Sequence, residues 1–138
     1  MFSKIMVPVD LAHADRLERA LAVAADLANR WQAEVVYVGA TGGAPGSVAH
    51  TPEEYRARLE AFAAEEGRKH GQPASAHALV LHDVAADLDH ALVAASEETG
   101  ADLVVMATHP PGIADWLWPG HGGRLAAHAR ASTLVVRG

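Results

Sequence analysis

The chain has no cysteine among its 138 residues. Disulfides, zinc–thiolate centres and thiol nucleophiles are therefore excluded. Positive charge is also scarce. Eleven Lys and Arg stand against 17 Asp and Glu, a formal net charge of −6. Nucleic acids and anionic lipid surfaces need a basic footprint, so no nucleic acid is expected as partner. No apolar run approaches the ~18 residues of a membrane helix, and no membrane insertion is expected. The opening MFSKIMVPVD has no signal-peptide layout. The expected location is the cytoplasm.

What is present suits one folded domain over residues 1–138. Half of the residues are hydrophobic, enough for one core at this length. KIMVPVD, residues 4–10, reads as a short buried strand with Pro8 near its end, where a missing N–H is tolerated. Leu17, Leu21, Ala24, Ala28 and Trp31 recur at helical spacing and predict a helix from about Ala14 to Trp31. Glu34 to Ala40 is the second strand. The glycines and proline of residues 42–50 make a loop with no evident signal. Thr51-Pro52-Glu53-Glu54 predicts a capped helix start with Glu54 closing a capping box. Tyr55, Leu59, Phe62 and Ala63 form its apolar face, and Gly71 ends it. Ser75 to Leu81 is a third strand. Asp83 caps the helix carrying Val84, Leu88, Leu92 and Ala95, and Gly100 stops it. Asp102 to Ala107 is the fourth strand. A helix from about Gly122 to Ala129 and a strand from Ser132 to Arg137 complete the chain.

Strands and helices alternate throughout. The expected fold is α/β, an open five-stranded parallel sheet of Rossmann-like type with helices on both faces. Ligands of such sheets bind beyond the C-terminal strand ends, where the strand order switches. Asp10, Gly39 and the segment after Ala107 therefore mark the expected site. That last segment, THPPGIADWLWPGHGG at 108–123, holds three prolines and four glycines. Prolines offer no N–H to an anion. Gly120, His121, Gly122 and Gly123 offer four consecutive N–H groups at a helix start, a plausible anion nest.

VPVD at 7–10, ADLVVMATH at 101–109 and HARASTLVVR at 128–137 together resemble the universal stress protein family over essentially the whole chain. The resemblance implies the adenine nucleotide alpha hydrolase-like sheet order 3-2-1-4-5. It also implies a homodimer through the C-terminal strand Ser132–Arg137. Many members bind ATP or AMP, with magnesium for ATP, and others bind no nucleotide. The family's phosphate motif has a glycine ending the fourth strand, a second glycine three positions on, and Gly-Ser or Gly-Thr about ten positions further. Here Ala107 and Pro110 replace the glycines. Pro119-Gly120 or Gly120-His121 stands in place of the last pair, without the hydroxyl. His109 to Gly112 resembles a short-loop His-x-Pro-Gly branch, some of whose members bind nucleotide. The implied cofactor contacts are Pro8, Asp10, Val38, Ala107, His109, Gly112, Gly120, His121 and Gly122.

Three functional readings stay open. The first is a regulatory or protective protein with a degenerate nucleotide motif, acting by binding small molecules or proteins. The second is an ATP- or AMP-binding protein that uses the Gly120–Gly123 helix start as its phosphate cradle. The third is an adaptor that docks a transporter or other protein through Trp116 and Trp118. No catalytic residue is assigned, because no nucleophile stands with a base and an orienting acid. Asp10 alternatively caps the next turn, Gly39 alternatively makes a tight turn, and Asp83 beside His82 reads as a cap. The nine histidines match no metal-ligand motif. His13, His109 and His121 are the three that could converge at the sheet's edge, but no metal site is assigned.

Overall fold

The computed structural model describes residues 1–108 and 121–138. Five strands form one parallel sheet: β1 Lys4–Pro8, β2 Glu34–Thr41, β3 Ala74–Val80, β4 Leu103–Thr108 and β5 Ser132–Arg137. Their order is β3-β2-β1-β4-β5. The connecting helices are α1 Glu18–Trp31, α2 Pro52–His70, α3 Val84–Glu98 and α4 His121–His128. Right-handed crossovers lead leftward from β1 and rightward from β3. They put α1 and α2 on one face and α3 and α4, which touch each other, on the opposite face.

Burial explains the strand composition. β1 lies between β2 and β4, and Ile5, Met6 and Val7 are at most 1 % exposed. A strand covered on both faces has no polar side to show, so it reads as a continuous apolar run. α1 meets the sheet through Ala20, Leu21, Ala24, Ala25 and Ala28, all buried. Four alanines let the helix lie close to the strands. At its end Trp31 packs edge-on to Phe2, with ring centroids 5.1 Å apart.

Local signals set the helix ends. Thr51 accepts the Glu54 N–H at 3.1 Å, with Pro52 at the first helical position. The Glu54 carboxylate accepts the N–H of His50 rather than that of Thr51, so the expected box closes one residue early. Asp83 accepts the Ala86 N–H, and Asp87 accepts the Asp83 N–H in return. Gly71 and Gly100 take the left-handed conformation that stops α2 and α3.

Three boundaries differ from expectation. β1 stops at Pro8, although the Val9 N–H still reaches the Val38 carbonyl at 2.8 Å. The helix expected from Ala14 begins as a 3-10 segment, Leu11–Leu17, because Asp10 caps it by accepting the Ala12 N–H. β2 continues through Thr41, so Gly39 lies within the strand, opposite Ala78, and makes no turn. Its lack of a side chain has another cause. A Cβ on Gly39 would overlap the hydroxyl of buried Tyr55, which lies across the strand there.

Asp102 ties the start of β1 to β4. Its carboxylate accepts the N–H groups of Ser3 (3.0 and 3.2 Å) and Lys4 (3.1 Å) and the Ser3 hydroxyl (3.2 Å). Its own N–H bonds to the Lys4 carbonyl, and its carbonyl accepts the Ser132 N–H. Three strands are therefore anchored at one residue. Partial burial pushes the carboxyl pKa up, but the Ser3 and Lys4 donors outweigh it and hold the group below the usual carboxylate range.

Asp102→Asn is expected to lower unfolding free energy by about 1–2 kcal/mol at neutral pH, read from denaturant midpoints. The depressed native value fixes the sign of the pH effect. The stabilisation is complete above about pH 4 and is lost as pH falls through the native value. The gap between the two proteins should close in acid, and a gap independent of pH would contradict the assignment. For the β2 contact, Gly39→Ala should cost about 1–3 kcal/mol by overpacking. Adding Tyr55→Phe should return part of that loss, because the two side chains compete for one space.

Candidate functional site

The sheet order reverses direction at β1, so the connections leaving β1 and β4 diverge and a crevice opens at their C-terminal ends. Over the ends of β1 and β2 the crevice measures about 420 Å³. Its walls come from Asp10 and His13, from Ala40 to Gly42 at the end of β2, and from the loop at 44–49, with Tyr55 and Val84 closing the rest. The volume falls in the ordinary range for small-molecule sites.

Asp10 is the first polar residue after the buried strand, and it is only 6 % exposed. Its Oδ1 accepts the Ala12 N–H at 3.1 Å, and its Oδ2 lies 2.9 Å from Nδ1 of His13. The capping role is therefore present, and so is a place in the crevice wall. A carboxylate accepts about four hydrogen bonds, so both oxygens keep capacity for a ligand hydroxyl. Tyr55 stands opposite. Burial first, and then the negative charge of Asp10, raise its hydroxyl pKa well above the usual value. It therefore remains a neutral donor beside an ionised acceptor.

The other expected contacts divide into three groups. Pro8 ends β1 in register with Val38 and is buried. Val38 is fully buried and its carbonyl is taken by Val9, so the crevice wall at β2 is built by Ala40, Thr41 and Gly42 instead. Ala107 lies near the end of β4 in register with Val136 and is 8 % exposed. His109, Gly112 and Gly120 lie outside the described residues, as do Pro110, Pro111, Trp116, Trp118 and Pro119. The backbones of His121 and Gly122 form the first turn of α4, one residue earlier than expected, and the space around Gly123 is open.

Sequence reasoning passed over three features. The loop at 42–50 was expected to carry nothing, yet it builds one wall. Its Gly46 N–H bonds to the Ala49 carbonyl at 2.9 Å, and Ala49 is buried. His13 was one of three histidines weighed for a metal, yet its ring sits on Asp10. The Asp-x-x-His spacing at 10–13 was the available signal. Tyr55 was read only as part of an apolar face. His82 and Asp83 behave as read, with Asp83 acting as a cap.

Solved structures share this architecture. A universal stress protein family member from Burkholderia pseudomallei is 23 % identical, with a TM-score of 0.70, over 97 % of this chain and 95 % of its own. The universal stress protein of Archaeoglobus fulgidus in complex with dAMP is 21 % identical, with a TM-score of 0.69, over 96 % of each chain. A family protein from Arabidopsis thaliana with AMP bound is 13 % identical, with a TM-score of 0.65, over 98 % of this chain and 90 % of its own. At these identities the likeness is one of fold. No curated protein sequence matches the chain. The family model described as "Universal stress protein family" matches residues 1–137, and with the 3-2-1-4-5 sheet this places the chain in the universal stress protein family.

Proposed function

We propose that this chain is a cytoplasmic regulatory domain of the stress-protein type that acts by binding an adenine nucleotide rather than by turnover. The observation that carries the reading is the crevice at the ends of β1 and β2, with the buried Asp10 carboxylate in its wall. The complexes of relatives with dAMP and AMP support it. The nucleoside lies between Asp10, Thr41 and the loop at 44–49, with a ribose hydroxyl donating to Asp10. The phosphate points toward the start of α4, where backbone N–H groups lack intrahelical partners. Ala107 stands where the family motif has glycine, so phosphate binding relies more on this turn than on close approach to β4. A monophosphate suits that arrangement. ATP with magnesium is the second candidate, and it requires the segment between β4 and α4 to hold the outer phosphates.

A second copy of this chain is the proposed cover for β5. This edge strand leaves Leu134 38 % and Val135 42 % exposed. Apolar edges left open invite pairing, and a symmetric pair of β5 strands would bury both.

Two measurements test these readings. In calorimetric titration AMP should bind with micromolar affinity, and Asp10→Asn should weaken it about tenfold by removing a charged acceptor. No heat with AMP, ATP or magnesium-ATP would refute the nucleotide reading. In sedimentation at tens of micromolar the chain should run as a dimer, and Val135→Lys should make it a monomer. A monomeric wild type would refute the pairing.

A further inference from the structure

The crevice wall carries a buried negative charge. Asp10 has a side chain only 7 % exposed, so solvent and salt screen it weakly. Among the described residues that line the crevice there is no lysine or arginine. The titratable groups there are Asp10 and His13 from the segment after β1, and Tyr55 from α2. Tyr55 stays neutral, as its burial requires. The charge that an incoming ligand meets is therefore set by the Asp10–His13 pair.

The pair is held in place. His13 Nδ1 lies 2.9 Å from Asp10 Oδ2. At φ −131° and ψ 37°, His13 breaks the 3-10 segment, and the kink falls at the residue whose ring returns to the carboxylate. The ring is 33 % exposed, so a proton from solvent can reach it. Imidazole is the side chain that changes charge near neutral pH.

We propose that His13 decides whether this crevice accepts an anionic ligand. When the ring is protonated, the imidazolium–carboxylate pair is neutral overall and a phosphorylated nucleoside enters. When the ring is neutral, the Asp10 charge is uncompensated and repels phosphate, while an uncharged nucleoside is indifferent to the change. His13 is thus a specificity-determining residue that reads ligand charge. This inference rests on the nucleotide reading of the crevice, and it adds the discrimination between nucleotide and nucleoside.

The test uses the full chain and two probes. Cyclic AMP keeps one phosphodiester charge, and adenosine has none, across about pH 5.5 to 8.5, the span in which imidazole titrates. Cyclic AMP affinity should fall about tenfold from the acid to the alkaline end, the order expected for one charged contact. Adenosine affinity should stay level. His13→Gln should flatten the cyclic AMP profile at the weak value, and His13→Lys should flatten it at the tight value. A level profile in the wild type, or a slope that survives in His13→Gln, overturns the inference and leaves the nucleotide reading standing. If neither probe binds at any pH, both fall.

Discussion

The confinement of β1 organises this molecule. The strand has a neighbour on each side, and helices cover both faces of the sheet. From β1 the chain moves through α1 and β2 out to β3, then returns to add β4 on the free side of β1. No single segment covers the C-terminal ends of β1 and β2, so a crevice is a consequence of the topology rather than an addition to it. The same confinement requires residues 5–9 to be apolar, and it makes Asp10 the first position where a charge is tolerated. The carboxylate therefore stands at the crevice because the sheet ends there.

One carboxylate at each end frames the sheet. Asp102 gathers the N–H groups at the start of β1 and joins it to β4 and β5. Asp10, at the other end, starts the turn that leads to α1 and holds His13. The first acts on stability and the second on the site. Tyr55 links the two levels, because its ring fills the space above Gly39 and its hydroxyl side faces the crevice. A change that shifts Tyr55 would therefore alter both packing and binding space.

Much of the fold was legible because its causes are local. Thr51 with Pro52, and Asp83, announce their helices through groups a few residues away, and Gly71 and Gly100 end them the same way. The alternation of elements followed from periodicity, whereas the strand order came from the family resemblance. The features that escaped depend on distant contacts. Gly39 looks like a turn until Tyr55 is placed over it. Asp102 looks like the start of a strand until Ser3 and Lys4 arrive beside it. The loop at 42–50 has turn-forming composition and nothing else, and only the positions of Asp10 and Tyr55 make it a wall. Half of the expected phosphate contacts, from His109 to Gly120, lie outside the described residues.

The central claim is that the crevice at the ends of β1 and β2 is where this chain meets its ligand. The most direct measurement is a map of backbone amide resonances in the ¹⁵N-labelled protein as AMP is added. The account predicts that the largest changes fall on Asp10 to His13 and on Thr41 to Ala49, with the first turn of α4 following. Changes concentrated between α3 and α4 or along α2, with Asp10 and Thr41 unmoved, would contradict it.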